Sequence, residues 1–260
     1  MLFFKHCASS VYLNDFDWLL VLDLDVQIVN SRHRIEEWID ENHDLVMYER
    51  FSSGEVVAGN YLVKNTAASK QFLLDWANYE FFPGATDNRD NGALHLHLIN
   101  TLYPHRADLY KKLKSLNRPA SHGFVGPHYG EFVSFAMNTL KQYRNESTLQ
   151  KKIRLKILPR FQGWAKDLDL MGHSWSDVDL LNHNVKHPSL GSYSEAFTYH
   201  DDICGNANWV PPSSGKKFSM EKMKELISEA RKKVERDNPR APHFHHQLEQ
   251  CWPTCENLIE

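Results

Sequence analysis

The sequence predicts an α/β domain over residues 1–190, built on a mixed sheet flanked by helices, with a helical extension over residues 191–260. Three observations support this fold class. The segment Trp18–Leu22 is an unbroken apolar run, which is typical of a strand buried on both faces. Further along the chain, segments with apolar residues at helical spacing alternate with short apolar runs. The 260 residues are 42% apolar, which is enough for a sizeable core.

The apolar run Trp18–Leu22 leads directly into Asp23-Leu24-Asp25, and this makes it the central element of the prediction. We expect the run to be an interior parallel strand, because strands covered on both faces are typical of parallel sheets. A helix or an edge strand at this position would contradict that interpretation. Ligands of open α/β sheets bind outside the carboxyl ends of the strands. Asp23 and Asp25 should therefore lie at the carboxyl edge of the sheet, where they offer the hard oxygen ligands that Mg²⁺ and Mn²⁺ prefer.

The other elements of the domain follow from hydrophobic periodicity. Apolar residues at helical spacing predict helices over residues 34–41, 66–79, 93–99, 108–116 and 131–143. Short apolar runs predict strands over residues 45–48, 56–65 and 153–158. Gly59 lies inside the second of these strands, which suggests that another group approaches the backbone closely there. Asp90 precedes the third helix, and a helix cap is its simplest interpretation.

The extension begins with a linker-like segment, Pro211–Gly215, and continues with an amphipathic helix over residues 219–234. One apolar stripe of this helix is typical of a docking face rather than of a cofactor site, and it consists of Met220, Met223, Ile227, Ala230 and Val234. Cys251 and Cys255 could close a small loop, and a reduced pair is equally compatible with their spacing.

Charge and hydropathy exclude several classes of protein. The formal net charge is -3 with histidine neutral, so no bulk attraction to nucleic acid is expected. No apolar run is long enough to cross a bilayer. The segment Met1–Cys7 lacks the basic region and the long apolar part of a signal peptide, so we expect no route into the secretory pathway within this polypeptide. The sequon Asn145-Glu146-Ser147 is short enough to arise by chance.

Three local patterns follow one another in the chain and together resemble a known class of enzymes. The first is Asp23-Leu24-Asp25 after a strand, the second is Ala58–Thr66 with Trp76 in the following helix, and the third is Asp90–His95. Together they resemble the GT-A class of nucleotide-sugar glycosyltransferases. Their order is similar to that in the yeast-type galactosyltransferase and plant xylosyltransferase family. The resemblance implies a GT-A-like, Rossmann-type sheet.

A closer resemblance, over roughly residues 3–190, is to a nematode-rich family of unknown function that is assigned to the nucleotide-diphospho-sugar transferase superfamily. The shared positions are His6-Cys7, Asp17-Trp18, Asp23-x-Asp25, Val29-Asn30, Glu36-Glu37, Ala58-Gly59, Asn65-Thr66, Asp90-Asn91-Gly92-Ala93 and His183-x-x-Lys186. Each of these pieces is common by itself, and the combination is specific. Catalysis in that family is itself inferred, so the resemblance bears on the fold more than on the reaction.

The resemblance implies transfer of a sugar from a nucleotide-diphosphate donor to a glycan or glycoconjugate acceptor, with Mn²⁺ or Mg²⁺ on the donor. It implies that Asp25 binds the metal directly and that Asp23 binds either the metal or the ribose. His183 matches a third metal ligand of related GT-A enzymes, and Lys186 would contact a phosphate. A cation on the diphosphate would neutralise the charge of the leaving group as it develops.

The same resemblance assigns roles to residues of the second and third patterns. Gly59 and Asn60 would belong to the donor-binding strand. Asp90 would face the donor or acceptor sugar, as a hydrogen-bond acceptor or as a base, and Asn91 would support it.

The position of Asp-x-Asp in the chain departs from the GT-A pattern. GT-A domains usually begin with a strand, a loop and a helix that hold the nucleobase and the ribose, whereas here the motif arrives by residue 23. The chain is then either a piece of a longer, membrane-anchored protein or a degenerate member of the class. The resemblance implies a location in the Golgi or another secretory lumen, with membrane association only through a segment absent from this chain.

Two other functions compete with glycosyl transfer. One is a non-catalytic GT-A-like protein that binds sugars or has a structural role, having lost the nucleotide-binding N-terminal unit. The other is a phosphatase of the haloacid dehalogenase type, which also begins with an apolar strand and Asp-x-Asp. Such phosphatases need Thr or Val where Gln27 stands, and no acidic pair after a later strand completes their site.

Overall fold

The computed structural model describes residues 3–51, 53–81, 89–116, 127–144, 152–167, 174–183, 216–237 and 239. Its helices are α1 Phe4–Tyr12, α2 Ala67–Ala77, α3 Arg89–Leu102, α4 Ala107–Leu116, α5 Pro127–Arg144 and α6 Met220–Asp237. Its strands are β1 Trp18–Val21, β2 Val26–Ile28, β3 Leu45–Tyr48, β4 Tyr61–Lys64, β5 Leu155–Leu158, β6 Ala165–Asp167, β7 Ser174–Trp175, β8 Leu181–His183 and β9 Lys216–Lys217. Five predicted features lie outside the described residues, namely Lys186, the boundary at residue 190, the linker 211–215, the sequon at Asn145 and the pair Cys251 and Cys255.

The described strands form two mixed sheets and a small two-stranded sheet. The larger sheet has the order β1-β4-β3-β5, in which β4 is antiparallel to both of its neighbours and β3 is parallel to β5. The second sheet has the order β2-β8-β6, with one antiparallel and one parallel pair. The third pairs β7 with β9. The fold class is therefore mixed α/β, as predicted, but the expected central sheet is divided in two.

The prediction that Trp18–Leu22 is an interior parallel strand is wrong. Among the described strands β1 lies at the edge of the larger sheet, and it is antiparallel to β4. Both faces of β1 are nevertheless covered, because Leu19 and Val21 pack against the core under the helices while Trp18 and Leu20 pack against the core between the two sheets. The unbroken apolar run thus reflects the packing of β1 on both of its faces. It does not indicate which strand pairs with β1 or in which direction.

The larger sheet lies between a layer of helices and the second sheet. Alternation along β4 shows both cores, since Tyr61 and Val63 face the helices while Leu62 faces the second sheet. The helical core contains Phe72, Leu73 and Trp76 of α2, together with apolar residues of α3, α4 and α5. The core between the sheets includes Leu62, Trp164 and Leu181.

Most predicted elements are present with shifted ends. The helix predicted over 66–79 is α2, which begins after Thr66 because the Thr66 hydroxyl accepts a hydrogen bond from the Ser69 backbone N–H at 3.1 Å. The strand predicted over 45–48 is β3, while the one predicted over 56–65 is regular only in β4. The helix predicted over 34–41 is wrong, since only a 3₁₀ turn forms at Ile35–Trp38. Asp40 accepts the Asn42 N–H at 3.0 Å just beyond it, a local turn that competes with helix continuation.

The amphipathic helix predicted in the extension is α6. Its stripe of Met223, Ile227, Ala230 and Val234 is buried, and it packs with Phe51 and with partly buried neighbours that include Phe161. The apolar face of α6 is thus covered by residues of the larger domain. Within the described ranges, no helix combines the length and the apolar character that crossing a membrane requires.

Candidate metal centre

The candidate site lies where the chain passes from one sheet to the other. Strand β1 ends at Val21 in the larger sheet and β2 begins at Val26 in the second, so the Asp-x-Asp segment forms the crossing. In the second sheet Val26 is paired with His183 of β8. The crossing therefore brings both aspartates close to a histidine that lies 158 positions after Asp25 in the sequence.

Asp23, Asp25 and His183 form a compact cluster of possible metal ligands. Nε2 of His183 is 3.5 Å from Oδ2 of Asp23 and 3.4 Å from Oδ1 of Asp25. One ligand atom from each residue lies within 4.8 Å of the others. Two carboxylates and an imidazole suit Mn²⁺ or Mg²⁺, with positions left for substrate oxygens. The residues present therefore fit the divalent cation that the sequence analysis anticipated.

A third carboxylate, that of Asp167, fixes the orientation of the His183 ring. Nδ1 of His183 donates to Oδ1 of Asp167, which lies opposite it on the neighbouring strand β6, at 2.8 Å. Oδ2 of Asp167 lies 3.5 Å from Nε of Arg50. Nε2 of His183 is consequently directed at Asp23 and Asp25, which is the arrangement by which outer carboxylates orient metal-binding histidines.

The carboxylates also determine the charge of His183 when no cation is bound. Burial lowers the pKa of His183, but Asp167, Asp23 and Asp25 outweigh it and raise that pKa to about 11. Burial raises the pKa of Asp23, and the hydrogen bond from His183 with the charge of Lys5 brings that pKa well below its usual range. The cation-free site is therefore held together by an imidazolium among ionised carboxylates.

The segment before β4, Gly59 and Asn60, packs against Asp23 and holds it in position. The pairing of Val21 with Tyr61 sets Gly59 and Asn60 alongside Asp23. A Cβ added at Gly59 would overlap Oδ2 of Asp23, which identifies the group whose close approach to this glycine was expected. Oδ1 of Asn60 accepts the Asp23 backbone N–H at 3.0 Å, and Nδ2 of Asn60 donates to the Tyr48 hydroxyl at 3.0 Å. A direct contact of Gly59 or Asn60 with a donor stays a prediction.

Asp90 is joined to the cluster through Lys5. Nζ of Lys5 lies 2.8 Å from Oδ2 of Asp90 and 3.0 Å from Oδ1 of Asp23. The interpretation of Asp90 as a cap before the helix is wrong, since α3 begins at Arg89 and Asp90 lies inside its first turn, where its Oδ1 accepts the Asn91 backbone N–H at 3.1 Å. The Asn91 side chain accepts the Ala58 backbone N–H at 2.9 Å, so it ties the start of α3 to the glycine segment. Asp90 lies at the margin of the site with its side chain 12% exposed.

Sequence reasoning missed Lys5, Asp167 and Arg50. Asp167 carried little signal, because it follows Trp164-Ala165-Lys166, in which the lysine interrupts the apolar run after two residues. Lys5 carried none, since a single lysine in a helix is usually solvated. Burial lowers the pKa of Lys5, while Asp90 and Asp23 outweigh it and raise that pKa, so its ammonium group stays charged.

Comparisons with known proteins support a family assignment. Residues 1–198 of the 260 match the family model described as "Protein of unknown function, DUF273". The matched part includes both large sheets, the Asp-x-Asp crossing, Lys5, Asp90, Asp167 and His183. No curated protein and no solved structure matches the chain.

Proposed function

The chain belongs to the DUF273 family of proteins of unknown function, and from its own site we propose that it is a metal-dependent glycosyltransferase. It would transfer a sugar from a nucleotide-diphosphate donor to a glycan or glycoconjugate acceptor. The observation that carries this proposal is the cluster of Asp23, Asp25 and His183 at the crossing between the sheets. An Asp-x-Asp motif at the end of a strand, next to a histidine from a much later part of the sequence, resembles the metal site of GT-A enzymes. From this resemblance we infer a GT-A-like fold.

In this proposal Asp23, Asp25 and Nε2 of His183 hold the divalent cation, which would be Mn²⁺ or Mg²⁺. When bound, the cation supplies the positive charge that stabilises a departing diphosphate. Asp167 keeps Nε2 of His183 aimed at the site. Lys186 would contact a phosphate of the donor.

Asp90 is proposed as the residue that faces the reacting sugars. Its carboxylate lies beside the candidate metal ligands, to which Lys5 connects it. There it could accept a hydrogen bond or a proton from a sugar hydroxyl. Asn91 would hold Asp90 in place through its backbone N–H. On the resemblance alone we also propose a location in the Golgi or another secretory lumen, with any membrane association made by a segment outside this chain.

The alternative is a non-catalytic sugar-binding or structural protein. One observation favours it: Lys5 and the His183 imidazolium already give Asp23 and Asp25 partners without a cation. A site balanced in this way does not need a metal to be stable. The two functions differ in whether the protein binds a sugar nucleotide in a metal-dependent way.

Calorimetric titration of sugar nucleotides in Mn²⁺ and then in chelator separates the two functions. We expect wild-type protein to bind a sugar nucleotide in Mn²⁺ only. Asp25→Ala should lose this binding and keep its fold, because Asp25 is partly exposed and His183 keeps Asp23 and Asp167 as carboxylate partners. Wild-type protein that binds no sugar nucleotide in either condition would favour the non-catalytic alternative. Unchanged binding in Asp25→Ala would refute the metal site.

A further inference from the structure

We infer that Lys5 is a built-in counter-ion of Asp23, which competes with the divalent cation for that carboxylate and remains on Asp90 when the cation binds. The inference rests on the metal site in the proposed function, and it adds a residue that neither the motif nor the resemblance indicated. It assigns to Lys5 the control of cation affinity and the positioning of Asp90.

The geometry of Lys5 supports this role. Its ammonium lies between two carboxylates, 3.0 Å from Oδ1 of Asp23 and 2.8 Å from Oδ2 of Asp90. The other oxygen of Asp23, Oδ2, faces His183 at 3.5 Å. Asp23 is therefore shared between Lys5 and the candidate metal ligands. A divalent cation drawn to Asp23 meets a positive charge already in contact with the same carboxylate.

Helix α1 holds Lys5 in this place. The adjacent residue His6 is buried, with its ring stacked on Trp76 at a centroid distance of 3.5 Å. Nδ1 of His6 lies 3.0 Å from the Tyr61 hydroxyl, which also donates to Ser9 at 3.4 Å. Since Tyr61 immediately follows the segment that supports Asp23, α1 and the metal site share one anchor. The position of Lys5 is thus determined by buried contacts on the neighbouring positions of α1.

Asp90 keeps Lys5 in an ion pair when a cation binds to Asp23. Asp90 is mostly buried and sits in the first turn of α3, so its carboxylate stays in reach of Lys5 whatever happens at Asp23. A cation bound to Asp23 and the Lys5 ammonium would both lie against the same carboxylate, and like charges that close together repel strongly even with the screening found near a protein surface. A cation on Asp23 therefore weakens the contact between Lys5 and Asp23 and leaves the contact between Lys5 and Asp90. Lys5 in turn lowers the affinity of the site for the cation.

Substitution of Lys5 tests the competition with Mn²⁺ alone as the probe. Lys5→Met keeps the length of the side chain and removes its charge, so the dissociation constant for Mn²⁺ should fall by about tenfold or more. Lys5→Arg keeps the charge, so its Mn²⁺ affinity should stay within about threefold of wild type. The measurement is the paramagnetic resonance signal of free Mn²⁺ during titration of each protein. Lys156→Met is the matched control, because Lys156 pairs with Asp40 at 2.8 Å away from the site and its loss should leave Mn²⁺ affinity unchanged.

Thermal unfolding gives a second readout, which separates a loss of stability in the variant from a change in its Mn²⁺ affinity. Without cation, Lys5→Met should unfold at a lower temperature than wild type, because Asp23 and Asp90 lose their shared partner. With the same added Mn²⁺, Lys5→Met should gain more stability than wild type, since ligand stabilisation grows with affinity. A purely structural lysine would lower the melting temperature without any gain in Mn²⁺ affinity.

The outcomes separate this inference from the proposed function. Wild type that binds Mn²⁺ together with Lys5→Met that binds it no more tightly would overturn the inference alone. Absence of Mn²⁺ binding in both proteins would overturn the metal site and the inference together. Tighter Mn²⁺ binding in Lys5→Met, with no sugar-nucleotide binding in any protein, would support the inference and overturn glycosyl transfer.

Discussion

Asp167 accepts a hydrogen bond from Nδ1 of His183 at 2.8 Å, and this single contact orients the candidate metal ligand. Both side chains are buried, and they lie opposite each other on the parallel strands β6 and β8. Because the Nδ1 proton is committed to Asp167, Nε2 is the atom that faces Asp23 and Asp25. Removal of the Asp167 carboxylate should therefore impair the metal site without changing any proposed ligand.

Asp167→Asn is expected to weaken Mn²⁺ binding by about 10–100-fold, because the carboxylate that orients His183 is lost. The variant should also be destabilised by about 1–3 kcal/mol, since buried His183 loses its charged hydrogen-bond partner while Arg50 keeps Glu55. Calorimetric titration with Mn²⁺ and chemical denaturation measure the two effects. Asp179→Asn is the matched control, because Asp179 pairs with buried Lys166 at 2.9 Å and should cost stability while Mn²⁺ affinity is retained. Equal losses of Mn²⁺ affinity in both variants would show that the effect comes from general destabilisation.

Asp90→Ala is expected to keep donor binding at saturating Mn²⁺, with a lowered Mn²⁺ affinity because Lys5 then pairs with Asp23 alone, and to suppress sugar transfer by about 10²–10⁴-fold, which is the range for loss of a general base. The reason is that Asp90 contacts the candidate metal ligands only through Lys5. Donor titration and a transfer assay on the same preparation check the two halves. Asp75→Ala on the surface of α2 serves as a control carboxylate. Loss of donor binding in Asp90→Ala equal to that in Asp25→Ala would remove the separate role of Asp90.

Gly59→Ala is expected to displace the Asp23 carboxylate, since the added Cβ would overlap Oδ2 of Asp23. Overpacking of this kind typically costs about 1–3 kcal/mol of stability. Here we expect it to reduce Mn²⁺ affinity as well, because Asp23 cannot keep its position beside His183. Mn²⁺ titration and thermal unfolding of the variant provide the measurement. Wild-type Mn²⁺ affinity in Gly59→Ala would mean that Asp23 is not a ligand or that it binds from another position.

Buried His97 should make the protein less stable in mild acid. Burial lowers the pKa of His97 from 6.5 to about 4, against the opposing effect of its hydrogen bond to the Phe72 carbonyl at 2.9 Å. Between pH 6.5 and about 4, His97 is therefore protonated in the unfolded chain and neutral in the folded protein. The stability due to neutral His97 is complete above pH 6.5 and is lost as the pH falls to about 4, by about 3 kcal/mol.

Denaturant unfolding of wild type and His97→Gln between pH 7 and pH 4 measures this contribution. The glutamine amide can still donate to the Phe72 carbonyl but does not titrate, so the acid loss should be smaller by about 3 kcal/mol. His6 and His95 are also buried with lowered pKa values, so part of the acid loss should remain in the variant. Identical pH profiles for the two proteins would show that His97 does not remain neutral in the folded state.

Local patterns in the sequence determined many of the elements. The strand Leu45–Tyr48, the helix that follows Thr66 and the apolar stripe of α6 all follow from periodicity or capping within one segment. Such features depend on neighbours a few residues away, which is why a single sequence suffices for them. The position of Asp-x-Asp directly after a strand belongs to the same class.

Only the tertiary structure decided how those elements meet. The apolar run at Trp18 is equally suited to a parallel or an antiparallel neighbour, and the choice of β4 came from long-range pairing. The contact of His183 with Asp167 joins two strands of the second sheet, and the contact of Lys5 with Asp23 joins α1 to the crossing between the sheets. Their geometry depends on strand register and on the packing of α1, which are set by the whole core rather than by any local pattern. The sequence by itself therefore determined which carboxylates stand at the end of β1. The tertiary structure alone determined which basic side chains, Lys5 and His183, face them.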